Sequence, residues 1–595
     1  MPVSVRTVLT GLVVALGMGA LRARAADLTP TVPLQHRVYA FLERCEARGL
    51  LPGLRDGVRP FSRLQVAQAL GRLDAATAPL PRSDREILRE LVVEFSEERR
   101  GPDPAGCQQQ CAPEEGAGGA RRTTMLVLAG REATLVLEPL ASHRTDLYTG
   151  LGRNEAERIH RSAGGAAVRG CLRGFLGFSS SFVQSMEYGS RTYRIRDDVH
   201  TQRLELPQLK GDRADFHEGK AAAIVALPFA RLEVAKDDAA WGAAPADNLG
   251  LSGNAPSFAM VRLTADCGPV RAVSVHGSLR TCPGRPDSPA CWGTVDSARS
   301  YIVNGTARTL ERRKFLAAHR LEFSLAPWLD VGLQEAVVYG DRGPELLYAI
   351  PTMFLWAAQS YLGDKDNVVM GIDLDIHPGR GLRFYGAYLV DDMKKLRILS
   401  DDFANKFSAQ LGALWTDPAG MDDTALRLEY VRLEPWIYTH RYPINTFSHF
   451  DLPLGNSLGP NSNRWRACWE WRPHPKTEIG FEARRTRHGD NVLEADGTVV
   501  NVGGDLHLGA RAQDSCDRKR FLAGTVAKRT ELSWSGRWRP WEQLEIGLEV
   551  GREWVSNVPL PPYWDPDTSV ALRNRTGRGD GQQTRLCSTL ALGVF

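Results

Sequence analysis

The feature that most constrains this chain is a two-residue alternation of apolar and polar side chains that reverses around prolines. Leu532 and Trp534 alternate with polar residues before Pro540, and Leu544 and Ile546 continue the alternation after it. Successive side chains of a strand point to opposite faces, so each run predicts a strand with one apolar face. Proline suits the turn because it fixes φ and cannot donate to a sheet ladder. The pair therefore predicts an antiparallel hairpin.

The same hairpin recurs along the chain. Clear copies surround Pro327, Pro378, Pro418 and Pro473, and weaker copies surround Pro228 and Pro269. Successive turns are roughly 40 to 70 residues apart, whereas a membrane-spanning strand needs only ~9–11 residues. Short turns then alternate with long loops, as in outer-membrane barrels. Tryptophans beside the short turns fit an interfacial girdle: Trp328, Trp415, Trp471, Trp538 and Trp541.

The first part of the chain has a different character. An apolar run at 8–21 follows Arg6 and ends at the small residues Ala23 and Ala25, which predicts a cleaved signal peptide. Apolar residues then recur at helical spacing, with a capping box at Ser62 and Gln65. The sequence predicts a signal peptide at 1–25, a periplasmic helical domain at 26–100, a linker at 101–122 and an outer-membrane barrel at 123–595.

The fold class is therefore mainly β: a transmembrane antiparallel barrel of about eighteen strands with a small N-terminal α-helical bundle. A soluble β-sandwich is the alternative, but it would not place tryptophans systematically at one set of turns. The net charge of +4 arises from 74 basic and 70 acidic residues, a balance that does not favour a nucleic-acid partner. Cys282 and Cys291 are a candidate disulfide, because an exported chain meets oxidising conditions.

Four sequence blocks, in order, resemble the Wzi-type capsule-assembly family. They comprise Leu232–Asp237 with Trp241–Gly242 and Asn248–Pro256; Val331–Gly340; Tyr361–Asn367 with Gly371–Asp373; and Leu428–Tyr430 with Pro435–His440, Asn445–Thr446 and Leu458–Asn461. The resemblance implies an eighteen-stranded barrel with a periplasmic helical bundle at its mouth. It also implies a lectin-like, non-catalytic role in attaching or organising surface polysaccharide.

Most of these motif residues fall between successive short turns and therefore on the long-loop side. Sugar rings need an aromatic plane and bidentate polar groups, and an acidic polysaccharide also needs arginine. Asn and Asp have an alternative role, since they also stabilise turns by bonding their own backbone. The candidate ligand-binding residues are Trp241, Asn248, Asn254, Tyr361, Asp364, Asp366, Asn367, Tyr438, His440, Arg441 and Asn445.

Two other functions stay open. A porin is indicated by polar residues such as Asp373, Asp375 and His377, which share one strand face and should meet water in the lumen. An outer-membrane hydrolase is indicated only by Ser457 in a Gly-x-Ser-x-Gly pattern, which lacks the strand and helix of a nucleophile elbow.

We expect no catalytic residue and no cofactor. We also expect no metal site, because Asp364 and Asp366 lack the rest of a calcium loop. The expected partners are surface polysaccharide, outer-membrane lipid and lipopolysaccharide, and the barrel-insertion machinery. We expect a monomer in the outer membrane.

Overall fold

The computed structural model describes most of the chain. The described residues are 27–75, 80–99, 126–129, 133–151, 156–172, 174–190, 208–210, 213–281, 293–308, 310–393, 400–514, 517–541, 543–559 and 578–593. The predicted signal peptide, the predicted linker and the predicted Cys282–Cys291 disulfide lie outside the described residues.

Eighteen long strands of the described chain form one closed antiparallel barrel. They are β1 (Ala133–Gly150), β2 (Glu157–Leu172), β3 (Leu176–Gly189), β4 (Arg213–Ala226), β5 (Arg231–Asp237), β6 (Phe258–Cys267), β7 (Val270–Leu279), β8 (Lys314–Ala326), β9 (Leu329–Gly340), β10 (Asn367–Gly379), β11 (Leu382–Asp392), β12 (Lys406–Thr416), β13 (Thr424–Leu433), β14 (Ser462–His474), β15 (Thr477–Asp490), β16 (Thr525–Trp541), β17 (Leu544–Pro559) and β18 (Arg578–Leu592).

Each long strand pairs with its neighbours in sequence, and β18 closes the barrel on β1, with Leu592 opposite Ala141. Two short strands, Leu126–Ala129 and Gln208–Lys210, add pairings to β1 and β4. The tight turns lie at one end of the barrel, which we call the short-turn end; the opposite end is the long-loop end. The predicted fold class and the predicted short turns are confirmed.

Alternation along the strands separates an outer and an inner face. On β8 and β9, the paired residues Leu321 and Leu333 point outward and are exposed. Arg320, the residue before Leu321, points inward and is buried. The girdle tryptophans, such as Trp328 and Trp541, are exposed beside the short turns. An apolar outer face is what a lipid-facing wall requires. Among the helices of the described residues, none combines the length and apolarity that a membrane crossing needs.

Four helices precede the barrel: α1 (Val38–Ala47), α2 (Arg63–Ala75), α3 (Arg82–Glu94) and α4 (Ser96–Arg99). They enclose a small core that includes Phe41, Leu70 and Leu91. The helices dock on the short-turn end by polar contacts. Arg48 Nη2 lies 2.8 Å from Asp417 Oδ2, and Ser83 Oγ donates to the carbonyl of Arg472 at 3.2 Å.

Part of the barrel interior is filled by the chain itself. Residues 52–62 enter from the helical end, and Val58 pairs with Trp241 of an incoming loop, 238–257. A second loop, 434–461, packs beside it and contributes Ile437 and Phe447 to one buried apolar cluster with the inner faces of the wall strands. We call the wall from β5 to β13 the filled half; β14–β18 with β1–β4 form the open half.

The prediction that Asp373, Asp375 and His377 meet water in the lumen is wrong. All three face the interior, as predicted, but they are buried and do not meet water. Arg320 Nη1 donates to Asp373 at 2.6 Å, and Arg383 Nε donates to Asp375 at 2.8 Å. The inserted segment 52–62 and helix α1 exclude water here, which the strand pattern alone could not reveal.

The remaining elements are small and are not part of the barrel wall. They are helix α5 (Leu355–Tyr361) and a set of two-residue to three-residue strands. The strand pairs are Val58–Arg59 with Ala240–Trp241, Tyr301–Val303 with Thr306–Arg308, Ser448–His449 with Leu452–Pro453, and Val492–Leu493 with Val499–Val500. Short 3-10 turns occur at Pro418–Gly420, Pro443–Asn445 and Ala512–Asp514.

Candidate functional site

Two aromatic candidates from the sequence are structural. Trp241 and Tyr438 are both buried in the apolar cluster that fills the interior. The Tyr438 hydroxyl donates to the Leu249 carbonyl at 2.6 Å and so ties the two inward-folded loops together. In this conformation neither ring offers a plane to a sugar.

Asn248 and Asn254 lie buried in one inward-folded loop. The Asn248 side chain accepts from the Ala244 backbone N–H and donates to the Ala244 carbonyl, both at 3.1 Å. For Asn248 this is the turn-stabilising alternative that the sequence left open. At Asn254 it is the backbone N–H that donates to Ser252 Oγ, at 3.1 Å.

Asp366, Asn367 and Asn445 are brought together, again by structural bonds. Asn367 Nδ2 donates to the Asn445 carbonyl at 3.0 Å, and Asn445 Nδ2 donates to the Lys365 carbonyl at 2.7 Å. The buried Asp366 carboxylate accepts from the Tyr348 hydroxyl at 2.6 Å. These residues clamp the loop after β9 to the loop after β13.

Four candidates remain accessible: Tyr361, Asp364, His440 and Arg441. Tyr361 is 84% exposed at the end of α5, and Asp364 accepts from Gln359 Nε2 at 2.9 Å. His440 is half-buried; burial lowers its pKa to about 4, with Lys406 and Arg441 acting in the same direction. The His440 imidazole is therefore neutral at neutral pH, and only Arg441 brings positive charge.

An arginine-rich cleft, which the sequence did not predict, lies at the long-loop end. We call it the rim cleft. It encloses about 610 Å³, within the ~300–1,000 Å³ typical of ligand pockets. It is lined by 295–299 of one loop, by Arg312 and Arg313 before β8, and by 341–343 after β9.

The rim cleft holds four arginines against two aspartates. Arg299 Nε donates to Asp296 at 2.6 Å, and Arg312 Nε donates to Asp341 at 2.6 Å. Arg313 is exposed and, among the described residues, has no ion-pair partner. Arg342 is paired with Asp366 outside the cleft lining, so Arg313 supplies the excess positive charge, on a donor that water already reaches, which suits a carboxylate or another anionic group.

Two further features adjoin the rim cleft. Pro443, two residues beyond Arg441, lies against Gly293, where an added Cβ would be 3.4 Å from Pro443 Cγ. On the other side, the Ser300 hydroxyl donates to the Asp296 carbonyl at 2.7 Å and leads into a hairpin that exposes Tyr301. An aromatic ring and a second basic loop thus flank the cleft. The run Arg308–Arg313, with three arginines in a long loop, was the available sequence signal.

Ser457 has no catalytic surroundings. Its hydroxyl donates to Asp247 Oδ2 at 2.7 Å, and Arg464 donates to the same oxygen at 2.8 Å. In the described part of the chain, no histidine hydrogen-bonds Ser457. The described residues also contain no group of three side chains that could hold a metal ion.

The fold and rim define a class: an outer-membrane-type β-barrel with a helical domain at its short-turn end and inward-folded loops. The model of the capsule assembly protein Wzi family matches residues 141–562. The chain belongs to that family.

The solved structure of Wzi agrees with the fold. Escherichia coli Wzi, described as a carbohydrate-binding outer-membrane β-barrel involved in group 1 capsule assembly, aligns with a TM-score of 0.52 at 11% identity, covering 94% of this chain and 99% of that one. OprD of Pseudomonas aeruginosa aligns with a TM-score of 0.39 at 12% identity, covering 77% and 94% respectively. OccAB4 of Acinetobacter baumannii aligns with a TM-score of 0.40 at 10% identity, covering 76% of this chain and 97% of that one. No curated protein sequence matches the chain.

Proposed function

We propose that this protein binds acidic surface polysaccharide at the rim cleft and takes part in capsule assembly as a lectin-like, non-catalytic barrel. The observation that carries the proposal is the cleft itself, with Arg299, Arg312, Arg313 and Arg342 converging on one concave surface. Family membership and the carbohydrate binding described for E. coli Wzi support the same ligand class. Ser457 is bonded to an aspartate that an arginine already neutralises, which supports the absence of turnover.

The rim cleft fits an anionic chain better than a neutral one. Arg299 keeps 62% of its side chain exposed while paired with Asp296, so a ligand carboxylate can share its guanidinium without full desolvation. Arg313 adds a charge that no carboxylate in the described residues neutralises. Exposed charge pairs contribute little individually, about 0.2–1 kcal/mol. Affinity for a long polymer would therefore come from repeated weak contacts.

The test is a binding assay with purified protein and fragments of uronic-acid capsular polysaccharide, with neutral dextran as the comparison ligand. Removing two charges by Arg299→Gln with Arg313→Gln should raise Kd roughly tenfold, since two contacts of about 0.7 kcal/mol sum to one decade. Arg518→Gln is the matched control, because Arg518 is an exposed arginine of another long loop, 79% exposed. An unchanged Kd, or an equal loss in Arg518→Gln, would reject the cleft.

We further propose that the short-turn end, with its helical domain at residues 26–100, faces the periplasm, because outer-membrane barrels place short turns there. A closed barrel leaves no open sheet edge, so a monomer inserted by the barrel-insertion machinery is expected. Protease added to intact cells should cut the long loops and spare the helices. Cleavage within α1–α4 in intact cells would reverse the orientation.

A porin is the second candidate, because the open half retains charged inner side chains that are partly exposed. Arg529 pairs with Glu553 at 3.1 Å, for example, with 46% of the arginine side chain exposed. Steady ion conductance in planar bilayers, unaffected by added polysaccharide, would favour a porin over the proposed lectin-like role.

A further inference from the structure

Helix α5 lies on the outer surface of the barrel, outside the lumen. Its residues Leu355 and Ala358 share a buried cluster with Val337 and Tyr339 of β9. The alternate residue Val338 instead belongs to the interior cluster that contains Trp241. Because successive side chains of a strand point to opposite faces, the surface beneath α5 is the outward face of the wall.

The outward face just below α5 is the lipid-facing wall. Leu333 on β9 and Ile372 on β10 are exposed there. Between these residues and the helix stands Glu335, whose carboxylate accepts from the Leu355 amide at 2.9 Å and lies 3.3 Å from His319 Nδ1. Both polar side chains are largely buried. Helix α5 thus covers an outward carboxylate that would be costly to expose to hydrocarbon.

The position of α5 along the strand matches the upper edge of a bilayer. Val337 is eight residues beyond Leu329, which follows the short turn at the opposite interface. At about 3.3 Å per residue and a tilt of about 40°, this separation rises roughly 20 Å, close to the ~25 Å height of an outer-membrane apolar band. The helix therefore lies where the outer leaflet meets its head groups.

The face of this segment that points away from the barrel is apolar and aromatic. Leu346, Ile350, Phe354, Trp356 and Tyr361 are all exposed. The Phe354 and Trp356 rings lie 6.1 Å apart, side by side on that face. Amphipathic aromatic side chains concentrate at the membrane interface, because one end of each ring system favours lipid and the other favours water.

We propose that residues 346–361 form an interfacial collar, which inserts its exposed aromatic face at the head-group boundary of the outer-leaflet lipid. Continuity with the lipid-facing wall identifies lipid as the occupant. Lys365, exposed just beyond the helix, is placed to meet a lipid phosphate. The collar would set the depth at which the barrel lies in the bilayer. It would also stabilise the adjoining rim cleft, because Arg342 of the cleft bonds Asp366 of the same loop at 3.1 Å.

The test is fluorescence quenching by brominated lipid with the full mature chain in lipid nanodiscs. Subtracting the emission of Trp356→Phe from that of wild type isolates Trp356. The same subtraction with Trp541→Phe gives a positive control, because Trp541 is exposed beside a short turn. Trp436→Phe gives a negative control, because Trp436 is buried inside the filled half.

We expect lipids brominated near the head group to reduce the Trp356 component as strongly as the Trp541 component, and chain-end bromine to reduce it less. Aqueous acrylamide should leave it largely unquenched. A Trp356 component that is insensitive to brominated lipid would overturn the proposal, whether water, polysaccharide or a second copy covers the face. The readout needs no glycan, so its failure leaves the rim-cleft proposal standing.

Discussion

The filled and open halves of the barrel interior arise from the same strand pattern but have different energetics. In the filled half, Arg383 is fully buried and bonds Glu43 of helix α1 at 2.6 Å and Asp56 at 3.0 Å. In the open half, Arg585 bonds the buried Asp146 at 2.9 Å along the wall and keeps 22% of its own side chain exposed. Alternation therefore specifies which side chains point inward, and the inserted chain buries both partners of ion pairs such as Arg383–Asp375 in the filled half.

The largest difference between the two halves is expected when an inner arginine is removed. Arg383→Met should destabilise the protein by about 3–5 kcal/mol, because it leaves several buried carboxylates uncompensated. The matched change in the open half, Arg529→Met, should cost about 0–1 kcal/mol, since Arg529 keeps 46% of its side chain exposed to water while paired with Glu553. Urea unfolding in detergent measures both. Equal costs would show that the two halves do not differ.

Acid should undock the helical domain from the filled half. Burial alone would raise the pKa of Glu43, but Arg427 and Arg383 outweigh it and lower the pKa to about 2. A carboxyl whose folded pKa is depressed stabilises above its unfolded pKa of about 4.3, and this stabilisation is lost as pH falls toward 2. The loss should be about 2–3 kcal/mol. Protease sensitivity of α1 measures it.

The control for this acid effect is Glu43→Gln. It should weaken docking at neutral pH and flatten the pH dependence between about 4 and 2. An unchanged acid profile in Glu43→Gln would assign the effect to another carboxyl, such as Asp84, whose pKa burial would raise but which Arg44 and Arg472 hold below its ordinary value.

A smaller effect is expected where the two inward loops meet. Tyr438→Phe removes the hydroxyl that bonds the Leu249 carbonyl and leaves that carbonyl buried, so it should cost about 1–3 kcal/mol. Hydrogen exchange in 238–257 should increase, while exchange in the open half stays unchanged. A uniform increase around the barrel would mean that the loops do not form a local unit.

The smallest effect is expected at Asp364. This exposed carboxylate bonds only Gln359 within the described residues and has a φ of 56°, which asparagine also tolerates. Asp364→Asn should change stability by less than about 0.5 kcal/mol and leave polysaccharide binding unaltered. A clear loss of binding would restore the sequence-based view that this aspartate contacts the ligand.

The sequence predicted the barrel well because strand alternation and proline turns are local signals. Pro327, for example, lies in the observed turn between β8 and β9, and Pro473 is the penultimate residue of β14, next to the turn that leads to β15. The filling of the interior was not predictable, because Val58 meets Trp241 across 183 positions of chain. No local pattern encodes such a contact.

The same limit applies to the candidate site. The side chains of Trp241, Asn367 and Tyr438 have chemistry that suits sugars. In the fold they are buried and stabilise the contacts between loops. The rim cleft joins Arg299, Arg312 and Arg342 from separate loops. Only the run at Arg308–Arg313 signalled it locally.

The proposed polysaccharide site is the rim cleft and not the wall of the open half. Hydrogen–deuterium exchange with and without an acidic capsular oligosaccharide distinguishes the two locations. If the rim cleft is the site, exchange slows at 293–299, 310–313 and 341–343 and stays unchanged in β15–β18. Protection confined to β15–β18, with the rim unaffected, would rule out binding at the rim cleft.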